Sequence, residues 1–238
     1  MDPLISIVGV TGVLLGIGVA LGFIQRVAFS IRWLLTAVAL VLLNDAALTN
    51  FYGQLPNLFD GGDWNWQGKL LATILTLAVA AHPKLGWTNV GLTLAQNAHG
   101  RRLTYGVAVV VCIAFVGLAL SVANDPFDAE TLAFQLSMPG FDEEPFYRGT
   151  LLLALNEAFR RQWRVMGINL GCGGILSCLL FGMGHAFAFS DGAFSLDWMT
   201  MAATAIPAFL LVWFRERTGS LVLPVVLHNF ANSISHLV

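Results

Sequence analysis

Charged side chains are scarce in this chain. Asp, Glu, Lys and Arg make up 11% of its 238 residues, whereas the hydrophobic fraction is 57% and the mean hydropathy is +0.74. A soluble globular domain carries about 25% charged residues, so the composition excludes an ordinary soluble domain and predicts a polytopic membrane protein. No basic run is longer than two residues, and nucleic acid is therefore not an expected partner.

Cysteine is also rare. The three cysteines, Cys112, Cys172 and Cys178, lie inside apolar segments, and no CxxC pair occurs. Neither a disulfide framework nor a cysteine zinc site is therefore expected, and we interpret these residues as small packing residues. The N-terminal segment lacks the basic start of a signal peptide and has Asp2 instead. We interpret it as a first transmembrane helix.

Apolar runs predict an all-α fold, a polytopic transmembrane helical bundle of about eight spans. The length leaves no room for a separate soluble domain, so residues 1–238 are interpreted as a single integral membrane domain. The expected spans cover residues 4–25, 31–48, 66–82, 103–123, 142–162, 168–189, 197–214 and 220–237.

The charges in the loops alternate in sign along the chain. Ten of the twelve basic residues fall in alternate loops, and only Lys69 and Arg148 lie elsewhere. By the positive-inside rule these loops are cytoplasmic and both termini lie outside. We expect the location to be the inner membrane of a bacterium. The other loops are acidic, with Asp60, Asp63, Asp125, Asp128, Glu130, Asp191 and Asp197.

Ionisable residues occur at the start of the fifth predicted span. Residues 137–140 (SMPG) break the preceding segment, and Asp142 is a reasonable N-cap for the helix that follows. Pro145 is tolerated in a first turn, where the helix dipole favours the negative charge of Glu143 and Glu144. An ordinary acidic helix start near the membrane surface is the alternative interpretation.

The spacing separates the two glutamates. Glu144 and Arg148 are four residues apart and share a helix face, so an ion pair is expected. Glu143 is rotated by about 100° from Glu144 and is left free for chemistry. Charged groups at membrane depth are costly and usually functional.

Two later spans each carry one histidine. Phe181 and His185 share a helix face in the sixth span, as do His228 and Asn232 in the eighth. Each pair could simply be a hydrogen-bonded contact between helices. At about 1.5 Å of rise per residue, their depths fit a cavity between the middle of the membrane and its outer face.

Together, these segments resemble the CPBP family of intramembrane proteases, which includes CAAX prenyl proteases and bacteriocin-processing proteins and is also called Abi. The motifs of that family are EExxxR, FxxxH and HxxxN or HxxxD. In this chain they stand at Glu143-Glu144-xxx-Arg148-Gly149, Phe181-xxx-His185 and His228-xxx-Asn232, all within a predicted catalytic core at residues 141–233.

The resemblance implies a role for each matched residue. Glu143 and His185 would activate a water, and His228 and Asn232 would stabilise the oxyanion. Glu144, Arg148 and Phe181 would support the site. A zinc ion on Glu143, His185 and His228 is the alternative. We favour the metal-independent mechanism, because Asn232 makes better sense as an oxyanion donor.

The sequence therefore predicts an intramembrane endopeptidase that cleaves a membrane-anchored protein or peptide in the lipid bilayer. Two other classes of function stay open. A proton-coupled transporter would use the buried carboxylates and histidines as a relay, but would be expected to spread them across both leaflets. A catalytically silent scaffold or immunity protein would keep the fold and bind without cleaving.

Overall fold

A computed structural model describes residues 2–59, 61–98, 100–121 and 128–238. Asp60 and Asp125 of the acidic loops lie outside the described residues, as do residues 122–123 of the expected span 103–123. Within these ranges the chain is mostly helical. The helices are α1 Asp2–Gln25, α2 Ile31–Leu48, α3 Asn50–Gly53, α4 Trp66–Ala80, α5 Arg101–Ala119, α6 Ala129–Gln135, α7 Met138–Glu144, α8 Leu152–Ala158, α9 Cys172–Ala186, α10 Trp198–Thr218 and α11 Val222–Ser233.

The helical prediction is confirmed for most of the described residues, but two loops form antiparallel hairpins that it did not include. β1 Gln162–Val165 pairs with β2 Ile168–Gly171, and β3 Phe187–Ser190 pairs with β4 Ala193–Leu196. Both two-residue turns, residues 166–167 and 191–192, have positive φ at each central position. Such turns match the natural twist of a hairpin and favour Gly at the second position. The fifth and sixth predicted spans are correspondingly shorter.

Four helices are long and apolar enough to cross a membrane, namely α1 with its extension to Ala28, α2, α5 and α10. α4 and α9 are apolar as well but have only 15 residues each. The chain is thus an integral membrane protein of helical type. The count of about eight spans stays a prediction, since the shorter helices fall below the length that a full crossing needs.

Loops with the same sign of charge contact one another. At one end, the Ser30 amide donates to the Ala158 carbonyl, and the Asn97 amide donates to the Thr218 carbonyl. At the other end, the Asp63 amide donates to a Glu130 carboxylate. We call the end formed by residues 26–32, 82–98, 100–102, 159–171 and 215–221 the basic end. The end formed by residues 54–59, 61–65, 128–131 and 187–197 is called the acidic end.

The helix that carries the glutamates begins earlier than predicted. α7 starts at Met138, so Pro139 occupies its first turn and Asp142 lies in its interior, 1% exposed. The prediction that Asp142 is an N-cap was therefore wrong. So was the prediction that a first turn contains Glu143, Glu144 and Pro145. Pro145 has no amide hydrogen to continue an α-helix. The chain continues instead through a π-helical segment, Pro145–Leu151, into α8, a feature that is frequent at functional sites.

Close contact between α8 and α9 sets the position of the second motif. Gly173 lies against the α8 backbone, where an added Cβ would come within 2.6 Å of the Asn156 amide nitrogen. Only glycine permits this approach. Ser177, one turn further along α9, donates to the Tyr147 carbonyl at 2.7 Å. These contacts hold α9 in a fixed register beside the π-helical segment, and His185 lies near the far end of α9.

Candidate active site

A cavity of about 590 Å³ opens among α4, α6, α7, α9, α10, α11 and α5. Its polar lining contains the four side chains predicted to act on substrate. Its remaining wall is apolar and comes mainly from α5 and α10. The structure thus brings together residues from three separate motifs: Glu143, His185, His228 and Asn232.

Glu144 and Arg148 lie behind this lining and are 0% and 1% exposed. The predicted ion pair is confirmed, with 3.3 Å between Arg148 Nη1 and Glu144 Oε1. The guanidinium carbon also lies 4.2 Å from the centre of the Phe181 ring, a cation–π contact. The two residues of the second motif therefore have different contacts. Phe181 packs against Arg148, and His185 lines the cavity.

His228 is oriented by the buried glutamate. Its Nδ1 lies 2.7 Å from Glu144 Oε1. Because a carboxylate accepts, Nδ1 carries the hydrogen in this contact. The opposite nitrogen, Nε2, is directed toward Glu143 and lies 3.8 Å from its Oε2. This distance is too long for a hydrogen bond.

His185 is oriented by its own helix. Its Nδ1 lies 2.9 Å from the backbone carbonyl of Phe181. A carbonyl only accepts, so Nδ1 is the donor and the neutral ring keeps its lone pair on Nε2. The two histidines are thus held by different partners.

Lys69 is a site residue that the sequence interpretation did not assign. Its Nζ lies 2.5 Å from Glu143 Oε1 and 3.0 Å from Asp142 Oδ2. It reaches them from α4, and it lines the cavity. One signal could have found it, because Lys69 and Arg148 are the two basic residues outside the basic loops. Each of them pairs with one of the adjacent glutamates.

Two asparagine side chains on α11 form hydrogen bonds to α6 and α7. Asn232 donates through Nδ2 to Gln135 Oε1 at 3.2 Å, at the end of α6. An amide nitrogen has two hydrogens, so the second stays available at the cavity. Asn229 is buried and accepts from the Gly140 amide at 2.6 Å. α11 is therefore hydrogen-bonded to α7 near the glutamates.

The donor set fits a metal ion poorly. Among the described residues, no three side chains of His, Cys, Asp or Glu converge closely enough to hold one ion. In addition, Glu143 already binds the Lys69 ammonium, which would repel a divalent cation placed on the same carboxylate. The zinc site considered for Glu143, His185 and His228 is thus not assembled by this arrangement.

Residues 126–234 match the family described as type II CAAX prenyl endopeptidase Rce1-like. The family assignment holds for this part of the chain. The match contains all three motifs and the predicted core at residues 141–233, and the resemblance to CPBP intramembrane proteases is confirmed at this level. The match supports, at the level of the family, an intramembrane protease of the CAAX type that acts on a protein. Searches of curated proteins and of solved structures found no match.

The family match does not reach all of the site. Lys69 and the helix α4 that carries it lie outside residues 126–234. The cation that binds Glu143 is therefore supplied by the part of the chain that the family model does not describe.

Proposed function

We propose that the chain is an intramembrane endopeptidase in which Glu143 and His185 activate a water molecule. One observation carries the proposal. Glu143 Oε2 has no hydrogen-bond partner among the described residues, although it is buried, while Oε1 is held by Lys69. A buried carboxylate with one anchored and one unpartnered oxygen at a cavity is suited to accept a proton from water. The unprotonated Nε2 of His185 is the second acceptor at the same cavity.

His228 and Asn232 are the proposed oxyanion donors. The second hydrogen of the Asn232 amide supplies one donor. His228 supplies the other from Nε2 when its ring is doubly protonated, and the Glu144 carboxylate on Nδ1 is the counter-charge for that state. Donors fixed in advance by Gln135 and Glu144 stabilise the developing negative charge without reorganisation in the transition state.

The mechanism we propose is metal-independent. Lys69, rather than a metal ion, is the cation that binds Glu143 and Asp142, and it leaves Oε2 of Glu143 available to the water. The proton taken from water by the Glu143–His185 pair is then returned to the leaving amine, so that hydrolysis breaks one C–N bond and consumes one water.

The proposed substrate is a membrane-tethered segment or sorting tail of an exported protein. The apolar wall of the cavity, formed by residues such as Val111, Phe115 and Leu211, suits an apolar segment that arrives through the bilayer. Glu143 is held from α4, close to its acidic-end terminus. If the basic end is cytoplasmic, as the charge pattern predicts, cleavage occurs near the outer face of the membrane.

Cysteine labelling tests this orientation. The native cysteines are buried or half-buried, so they give a low background. Asp142 itself is too buried to label, and exposed positions in the loops are better reporters. We expect a membrane-impermeant maleimide to label Ser195→Cys in intact spheroplasts, and Thr88→Cys only after the membrane is opened. The reverse pattern would overturn the proposed cleavage at the outer face.

Replacing Lys69 tests its role as a positioning residue. We expect Lys69→Met to lower kcat about ten- to a hundred-fold, the value of one lost charge-assisted hydrogen bond. KM should change little, because the ammonium holds Glu143 rather than the substrate. Lys69→Arg should restore most of the activity, and Arg102→Met, at the exposed basic end, is the matched control. Full activity of Lys69→Met would contradict this role.

The function itself is tested by comparing the protein termini of membranes that carry the wild type or a Glu143 variant. A transporter predicts unchanged termini and altered proton flux, and a scaffold predicts that both are unchanged. The convergence of the polar residues on one cavity favours the protease over the transporter, since a proton pathway needs such residues across both leaflets.

A further inference from the structure

A second cavity, of about 870 Å³, lies at the basic end between α2 and α4. It is separate from the site around Glu143 and shares no lining residue with it. Its volume is within the range of about 300–1,000 Å³ that is typical of small-molecule sites. The proposed hydrolysis does not use this cavity.

Cationic side chains line the cavity. They are Arg32 from α2, Lys84 from the loop after α4, and Arg160 from the loop after α8. Among the residues that the structure describes around it, no Asp or Glu belongs to the lining. Glu157 pairs with Arg160 from outside at 3.2 Å, and their side chains are 41% and 62% exposed, so this pair is weak. The cavity therefore carries net positive charge.

Neutral donors add to this charge. Ser30 is the N-cap residue of α2, and its side chain makes no capping hydrogen bond. The first amides of a helix have no intrahelical acceptor and form a favourable place for an anion. His82 accepts from the Lys84 amide through Nδ1 at 3.2 Å, so a neutral His82 ring carries its hydrogen on Nε2. Ser30 and His82 both line the cavity.

The rest of the lining is suited to hydrocarbon. Arg32, Thr36 and Leu40 are spaced four residues apart and lie on one face of α2. From Arg32 to Leu40 this face extends about 12 Å along the helix. Ala78 and Val79 on α4 line the same cavity. The lining thus changes from cationic at the basic end to apolar between the two membrane helices α2 and α4. We call this apolar part the groove.

We propose that this cavity binds one anionic phospholipid, with the phosphate at Arg32, Lys84 and the start of α2, and with an acyl chain along Thr36, Leu40 and Val79. Basic pockets between transmembrane helices are suited to such headgroups. A free phosphate would pair with the cationic side chains but would leave the apolar groove without a partner. The apolar groove therefore favours a lipid over a free phosphate.

Native mass spectrometry of the purified full chain in detergent tests the proposal, with short-chain phosphatidylglycerol as the probe. We expect one saturable adduct, and binding of phosphatidylcholine with the same chains at least ten-fold weaker. Arg32→Gln together with Lys84→Gln should weaken phosphatidylglycerol binding about thirty-fold, which converts to about 2 kcal/mol. The matched control, Arg102→Gln with Arg164→Gln, removes the same charge elsewhere at the basic end and should change binding less than two-fold.

Two further arms separate the possible sources of the phosphate. Glycerol phosphate should fail to compete, and Ala78→Trp, which fills the groove from an exposed position, should weaken lipid binding without removing a charge. Equal binding of phosphatidylcholine, equal loss in the control variant, or full competition by glycerol phosphate would each overturn the proposal. If the double variant does not fold, lipid binding by Ala78→Trp is the test. Unchanged binding in that variant would also overturn the proposal.

Discussion

Glu143→Gln is expected to lower the rate of peptide-bond cleavage by about 10²–10⁴-fold, the range that a general base contributes. The amide has the size of the carboxylate but takes up no proton from water. The N- and C-termini of the total membrane proteome, compared between wild-type and variant cells, provide the measurement. Termini that depend on the wild-type protein should disappear in the variant, while the amount of the protein stays the same.

Glu157→Gln is the matched control for this comparison. It makes the same chemical change at a residue that lies outside the cavity, is partly exposed and pairs with Arg160, and we expect it to leave the termini as in the wild type. If the termini were unchanged in Glu143→Gln at normal protein level, the proposed hydrolysis would be wrong. A catalytically silent scaffold would then be the better description.

Arg148→Met is expected to destabilise the protein by about 3 kcal/mol or more, because it leaves Glu144 as a buried charge without its cation. Glu144 is 0% exposed and has no other cation except a protonated His228 among the described residues. For a chain of this size, such a loss corresponds to a fall of about 6–12 °C in the thermal unfolding midpoint. Thermal unfolding in detergent measures it.

The surface pair Glu157–Arg160 again supplies the control. Arg160→Met removes the same type of charge from a pair that is 3.2 Å apart and partly exposed to solvent, and exposed pairs contribute at most about 1 kcal/mol. Adding Glu144→Gln to Arg148→Met should recover part of the lost stability, since the buried charge is then removed. An Arg148→Met variant as stable as Arg160→Met would show that the pair does not stabilise the fold.

The two predictions concern neighbouring residues with different surroundings. Glu143 faces a cavity and is bound by Lys69 from another helix. Glu144 faces the interior and is bound by Arg148 and His228. We therefore expect Glu143 variants to lose activity with little loss of stability, and variants of the Glu144–Arg148 pair to lose stability first.

Much of the site could be predicted from local spacing. Pairs four residues apart share a helix face, so the Glu144–Arg148 contact and the common faces of Phe181 with His185 could be obtained from the sequence. The start of α7 could not, because Asp142 and Pro145 are compatible with a first turn when they are considered alone. The Lys69 contact to Asp142 is what makes an interior position for Asp142 favourable, and that contact spans more than seventy residues of sequence.

The hairpins after α8 and α9 were missed for a local reason. Residues 168–171 and 187–189 are partly apolar, so hydropathy assigned them to the sixth span. Asp191-Gly192 is a typical hairpin turn sequence and could have indicated the second hairpin, whereas positive φ at Met166 is rare for such a residue. The prediction from hydropathy therefore extended the fifth and sixth spans too far.

The sequence by itself determined the membrane class, the segregation of charge into two ends and the resemblance to the family. It also indicated four of the residues that line the cavity, because composition, sign of charge and helical spacing are local properties. Only the tertiary structure showed that Lys69 binds Glu143 and Asp142 from another helix. Lys69 and Arg148 are the two basic residues outside the basic loops, and each becomes the partner of a different glutamate through the way α4, α7 and the π-helical segment pack. The physical reason is burial: a charge removed from water needs a partner, and the fold determines which one is within reach.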